Sequence, residues 1–215
     1  MKKDVSKAML FNVEDVECRA GQEIVLSQQN LNIERGENLL LLGPSGCGKT
    51  SLMNIMAGLL KPSAGDVVYD GQSYGTMSGR EIDALRAEHF GFAFQKLHLI
   101  GHLSVAQNIA LAQSPPDKFR VEALIDDLGL SGKAHRKTRD LSVGEAQRVA
   151  IARMVANQPD VIFADEPTSA LDDVNTENVM DLLFSQAEKT GATLIVATHD
   201  ARIKGRFARV LEMSL

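Results

Sequence analysis

Cysteine is scarce in this chain: of 215 residues only Cys18 and Cys47 are cysteines, far apart and in no metal-ligand spacing. No disulfide framework follows, and a reducing compartment is the default. Long apolar runs are missing as well. The most apolar short run, Leu39-Leu40-Leu41-Leu42, is strand length, far below the roughly 18–20 residues that a spanning helix needs. If the protein works at a membrane, another chain is expected to supply the spans. The start, MKKDVSKAMLFNVEDVE, is basic but has no continuous apolar stretch, so no secretory signal is expected. Basic residues are not in excess either. The 23 Lys and Arg against 28 Asp and Glu give a net charge of −5, a poor match for a nucleic-acid coat, so no nucleic-acid partner is expected. Internal repeats and low-complexity tracts are absent.

What is present is ordinary for a globular chain. The apolar fraction is 44% and the charged fraction 24%, which excludes a wholly disordered chain, a collagen-like chain and a coiled-coil rod. The first third reads as strands near Met9–Val13, Ile24–Leu26 and Leu31–Ile33. The segment Asn38–Leu42 reads as a buried strand, because an uninterrupted apolar run has no solvent face. A glycine-rich loop follows, then a helix to Gly58, and Asp66–Tyr69 reads as another strand. Residues 96–140 are helix-like and loop-rich, broken at Ser114-Pro115-Pro116. A helix runs from Gly144 to Asn157, Val161–Ala164 is a buried strand, Val174–Lys189 a helix, Ala192–Ala197 a buried strand and Phe207–Met213 a last strand. Strands alternating with helices predict an α/β fold with a largely parallel sheet.

Two local patterns carry chemistry. Gly43-Pro44-Ser45-Gly46-Cys47-Gly48-Lys49-Thr50 fits G-x-x-x-x-G-K-[ST], between an expected buried strand and an expected helix. Glycines let the backbone curl so that successive N–H groups face one anion, and the helix start adds partial positive charge. Lys49 places a charge on β- and γ-phosphates, and the Thr50 hydroxyl can ligate Mg²⁺. Ser51 lies beside it on the same turn. The loop alone indicates a nucleoside triphosphate, not a protein class. The second pattern is Val161-Ile162-Phe163-Ala164-Asp165-Glu166, an apolar strand ending in two acids. Asp165 is the expected Mg²⁺ partner. Glu166 is placed to polarise an attacking water. On its own, that pair could equally cap the next helix.

Leu141-Ser142-Val143-Gly144-Glu145-Ala146-Gln147-Arg148 opens a helix ahead of these acids. With Gln95, Ser169-Ala170-Leu171-Asp172 and His199, it makes the chain resemble the ATP-binding-cassette ATPases, in the family's motif order from Gly43 to His199. The resemblance implies a phosphate-loop NTPase core with a mostly parallel sheet, an N-terminal antiparallel β subdomain and an inserted α-helical signature subdomain. It places the core at about 1–95 and 158–215 and the helical subdomain at about 96–157. It implies ATP and Mg²⁺ as ligands. Gly43–Thr50 and Ser51 would bind nucleotide, and Thr50, Gln95 and Asp165 would hold the metal. Glu166 would be the catalytic glutamate, Gln95 the glutamine touching metal and attacking water, and His199 the histidine that senses the γ-phosphate. Ser142, Gly144 and Glu145 would close over the nucleotide of a second, head-to-tail copy.

Two positions depart from the family pattern. The usual signature is L-S-G-G-Q, and Val143 and Glu145 replace a Gly and the Gln. Upstream, Cys18 stands where the family has an aromatic that stacks on adenine, with Phe11 the alternative in another register. Compact length and Glu166-Pro167-Thr168-Ser169-Ala170-Leu171-Asp172 look most like the lipoprotein-releasing and macrolide-exporter branch. Only residues 200–215 follow His199, so no appended regulatory domain is expected. The resemblance implies a separate transmembrane permease partner and a place on the inner face of the cell membrane. A soluble cassette of repair or translation, or a regulatory cassette without hydrolysis, is the alternative. The stretch Lys96–Leu103 is apolar for a loop entry, so Leu97, Leu99 and Leu103 either pack a satellite core or line a groove for a permease helix.

Overall fold

A computed structural model describes residues 8–169 and 171–214. Residues 1–7, Ala170 of the Ser169–Asp172 loop, and residue 215 lie outside them. The described chain forms two compact units, one of residues 8–86 with 193–214 and one of residues 87–192.

The first unit holds two sheets. Strands β1 (Met9–Ala20), β2 (Glu23–Glu34), β4 (Ala64–Tyr69) and β5 (Gln72–Ser73) form an antiparallel sheet in the order β2-β1-β4-β5. β1 and β2 are longer than their apolar stretches suggest. Their register shifts between Val13 and Val16, where Asp15 takes a left-handed φ of 50°. That bulge breaks the period-2 alternation from which strands are read. Asn30 holds it, its amide donating to the Asp15 carboxylate at 2.8 Å while its carbonyl accepts from Asp15 N–H at 3.0 Å. The second sheet is parallel: β3 (Leu39–Leu42) lies between β8 (Thr193–Thr198) and β9 (Arg209–Glu212). Leu39, Leu40 and Leu41 are wholly buried, as expected for a strand covered on both faces. Helix α1 (Lys49–Met56) follows β3 and buries Leu52, Met53, Ile55 and Met56. Helix α2 (Gly79–His89) has a mostly polar sequence with Leu85 its one buried residue, so apolar periodicity announces it only weakly.

The second unit pairs β6 (Phe90–Phe94) and β7 (Val161–Asp165) in parallel. Helices α3 (Val105–Ala110), α4 (Lys118–Asp127) and α5 (Val143–Met154) pack on one another, and α6 (Asp173–Thr190) completes the unit. The unit is wider than the helical segment expected at about 96–157, because β6, β7 and α6 group with those helices. One interior polar group is fully satisfied: buried Asn108 accepts from Ile100 N–H at 2.8 Å and donates to the Ile100 and Ser104 carbonyls at 3.1 Å. This pins the chain between Ile100 and α3 without leaving an unpaired buried amide. Lys189 and Gln186 of α6 both reach Asp127 at the end of α4. Antiparallel sheet, parallel strands and flanking helices together make the α/β fold that the sequence predicts.

Candidate functional site

In the first unit the glycine-rich loop leaves the buried end of β3 and turns directly into α1. Gly46 and Gly48 have φ of 88° and 92°, which favour glycine because a Cβ clashes there. At Gly48 the demand is doubled, since an added Cβ would stand 2.8 Å from Val25 O and from Leu26 Cδ1. Lys49 is 5% exposed. Its ammonium donates to the carbonyls of Gly43 and Pro44, each at 2.8 Å, so the side chain is curled back along the loop. Helices α3 to α6 each have a Ser or Asp side chain capping their first turn. α1 begins at Gly48, which has none to offer. A helix start without a side-chain acceptor, beside a buried cation, is chemically suited to an external anion.

His199 follows β8 on the same unit, and its neighbour Thr198 accepts from Gly43 N–H at 3.3 Å. The loop and the histidine segment are thus tied through the backbone of adjacent strands. A cavity of about 530 Å³ opens beside the loop, lined in part by Ile24, Val25, Leu26, Gly46, Cys47 and Met213. Cys18 is buried and pairs with Leu26 across the β1–β2 ladder. Phe11 is wholly buried and packs on Tyr69 at 5.0 Å between ring centroids. The alternative register, with Phe11 as the base platform, is therefore corrected: that ring belongs to the core.

In the second unit the register pairs Phe94 with Asp165. Gln95, Asp165 and Glu166 consequently emerge together at the carboxyl ends of two parallel strands, where α/β proteins place their chemistry. Gln95 Nε2 donates to Ser169 Oγ at 3.2 Å, which joins two segments 74 positions apart. Glu166 has a φ of 49°, uncommon for a residue with a long side chain. Ser169 N–H donates to its carbonyl at 3.2 Å. Asp172 caps α6, accepting from Asn175 N–H at 2.8 Å. Among the described residues no group of three or more His, Cys, Asp or Glu is placed to hold a metal by itself. Any metal here would need further oxygen donors besides the Asp165 and Glu166 carboxylates, a donor set that suits Mg²⁺.

Ser142 is the N-cap of α5. Its hydroxyl accepts from Glu145 N–H at 3.3 Å, and the Glu145 carboxylate accepts from Ser142 N–H at 2.9 Å, a reciprocal capping box. Val143 is 78% exposed, and a Cβ on Gly144 would stand 3.7 Å from a guanidinium nitrogen of Arg148, an ordinary contact. Glu145 also pairs with Lys133. That ammonium, and then the Ser142 N–H, hold the Glu145 carboxyl far below the usual range, at about 2. The group is therefore ionised throughout the neutral range.

Lys133 and Arg153 are contributions that the sequence does not announce. The one available signal for Lys133 is the acid at position 145, which asks for a cation but does not say which. Arg153 donates to the carbonyls of Leu97 and His98, each at 2.8 Å. It ties α5 to the segment after Gln95. Leu97, Leu99 and Leu103 are all half-buried, whereas Phe94 and Ile100 are 38% and 37% exposed.

A phosphate-binding loop between strand and helix, with carboxylates at the ends of parallel strands, defines the class as an α/β phosphate-loop nucleotide-binding protein. Residues 26–169 match the family model described as ABC transporter. The chain belongs to the ABC transporter family and is an ATPase cassette of it. It is 40% identical over 196 residues to the probable syringafactin export ATP-binding/permease protein SyfD of Pseudomonas syringae pv. syringae, covering 88% of this chain and 30% of the relative. It is 41% identical over 203 residues to the macrolide export ATP-binding/permease protein MacB of Shewanella oneidensis, covering 91% of this chain and 31% of the relative. The chain thus spans about 30% of the length of such relatives. Among solved structures, the dimeric bacterial ABC transporter cassette MJ0796 superposes with a TM-score of 0.83 at 33% identity, covering 95% of this chain and 94% of that one. MJ0796 has also been solved as a dimer in a post-hydrolysis state bound to ADP and Pi.

Proposed function

We propose that this cassette binds ATP with Mg²⁺, closes as a head-to-tail pair with a second copy, and by hydrolysis drives a transmembrane permease in an export process. The observation that carries the reading is the loop at Lys49: a buried ammonium beside a helix start that lacks a side-chain cap. Gly43–Thr50 and Ser51 take the phosphates, with Lys49 neutralising the β- and γ-phosphates. Oxygen donors of the kind present at Thr50, Gln95 and Asp165 suit Mg²⁺, which supplies charge neutralisation on the phosphates. Glu166 polarises the attacking water, Gln95 orients it, and His199 reads the γ-phosphate. Ser142 and Gly144 serve the partner's nucleotide: the capping box at the start of α5 uses the Ser142 oxygen only as an acceptor, which leaves its hydroxyl proton to donate to a phosphate. ATP then joins the two copies, and hydrolysis separates them.

The permease reading is supported by the names of the relatives, which join ATP-binding and permease in an exporter. Among the described residues no helix is long and apolar enough to cross a membrane, so the motion must leave through a surface. We place that surface around exposed Phe94 and Ile100, and the working location at the inner face of the cell membrane. The branch is the macrolide-exporter-like one.

The test is complementation. Lys49→Ala chains and Ser142→Arg chains should each fail to close with ATP. Mixed together, they should form heterodimers with one intact composite site, read by crosslinking across the seam. If the mixture closes no site, while ATP binding by the Ser142→Arg chain persists, the two-chain site is wrong.

Base selectivity follows from Cys18 and Phe11. An aromatic platform contributes roughly 1–3 kcal/mol per base. With neither residue presenting an open ring face, ATP and GTP should bind within about threefold of each other, a gap of well under 1 kcal/mol. Competition titration with a fluorescent nucleotide measures this. An ATP preference of about tenfold or more would reveal a stacking group elsewhere.

A further inference from the structure

Helix α5 begins with a carboxylate at its third position, on the turn that the proposed function assigns to a partner's γ-phosphate. The inference here rests on that reading. A negative side chain at a helix start favours the helix itself. It opposes a second anion arriving at the same place. A Gln there would accept from Ser142 N–H equally well and bring no charge. Glu145 is instead matched by Lys133, its ammonium on the carboxylate. Lys133 is itself held in a tight turn: its N–H donates to Leu130 O at 3.0 Å and its carbonyl accepts from Arg136 N–H at 2.9 Å. The cation therefore stands on fixed backbone rather than on a loose loop. One Glu145 oxygen accepts from Lys133 and the other from Ser142 N–H. The carboxylate is thus drawn into the capping box, while at Gly144 the group nearest to where a side chain would stand is the Arg148 guanidinium, 3.7 Å away.

We infer that Lys133 is a positioning residue for ATP-driven closure: it neutralises and holds Glu145, so that the start of α5 can receive the phosphate of a second copy. Lys133 itself touches no nucleotide. It acts through Glu145, and the two residues together replace the neutral Gln of the usual signature.

The experiment uses the full chain and measures two quantities. One is ATP affinity of the monomer, by fluorescent-nucleotide titration. The other is ATP-dependent dimer formation, by size-exclusion chromatography in the Glu166→Gln background. Lys133→Met should weaken ATP-dependent dimerisation by about tenfold or more, with monomer ATP affinity unchanged, because an unneutralised carboxylate then faces the incoming phosphate. Lys133→Met combined with Glu145→Gln should restore dimerisation to within about twofold, as should Lys133→Arg alone. A purely structural lysine would not be rescued by removing the charge it pairs with. Undiminished dimerisation by Lys133→Met, or no rescue by Glu145→Gln, would overturn the inference. The Ser142→Arg control separates the two levels. If it dimerises normally, the reading of the α5 start as a phosphate site fails, and this inference fails with it. If it is blocked and the rescue still fails, only the role of Lys133 is wrong. Should Lys133→Met not fold, Lys133→Gln takes its place, with the same rescue required.

Discussion

Glu166→Gln is expected to abolish turnover while ATP binding persists, and to leave the chain as an ATP-bound dimer. The amide keeps the shape of the carboxylate but cannot take up the proton of an attacking water. General-base catalysis contributes typically about 10²–10⁴-fold, so steady-state hydrolysis should fall by at least about a hundredfold. The backbone sharpens the choice of variant. Glu166 sits at a φ of 49°, and Gln meets the same steric cost there as Glu. The substitution therefore changes the chemistry without relaxing the turn. Glycine would remove the carboxylate and the backbone cost at once, mixing the two effects. Phosphate release measured beside size-exclusion chromatography with ATP gives both readouts. Near-normal turnover would remove Glu166 from the catalytic role. Lost turnover without a trapped dimer would separate hydrolysis from dimer opening.

Lys49→Ala should lose nucleotide binding outright. Each hydrogen bond to a charged group is worth roughly 1.5–3 kcal/mol, and the ammonium can serve two phosphates, so affinity should drop by about a hundredfold or more. The same ammonium bridges the Gly43 and Pro44 carbonyls at 2.8 Å. Truncation strips partners from a loop that is partly buried, and a stability loss of about 1–2 kcal/mol is expected as well. The two effects are distinguished by thermal melting without nucleotide, with Lys49→Arg as the variant that keeps charge but not shape. Arginine should recover much of the fold stability and little of the ATP affinity, because a planar guanidinium does not fit the place of a compact ammonium. Full ATP affinity in Lys49→Ala, measured by equilibrium dialysis, would refute the phosphate-loop assignment.

The phosphate loop was legible in the chain because its geometry is local. Glycines set the left-handed turns at Gly46 and Gly48, an apolar run dictates the buried strand before it, and a few consecutive residues complete the structure. The capping box at Ser142 and Glu145 is equally local, both partners lying within one helical turn. Tertiary structure decided what depends on register and on distant partners. The Asp15 bulge lengthens β1 and β2 beyond their apolar stretches, and it is stabilised by Asn30 from the facing strand. Gln95 meets Ser169 because β6 and β7 pair in one register rather than another. Phe11 and Cys18 are both aligned by sequence with a base platform, and only packing shows their side chains in the core. Lys133 reaches Glu145 across 12 positions and a change of element. No sequence periodicity spans such a gap, because hydrogen bonds and ion pairs between elements form only after the backbone has brought them together.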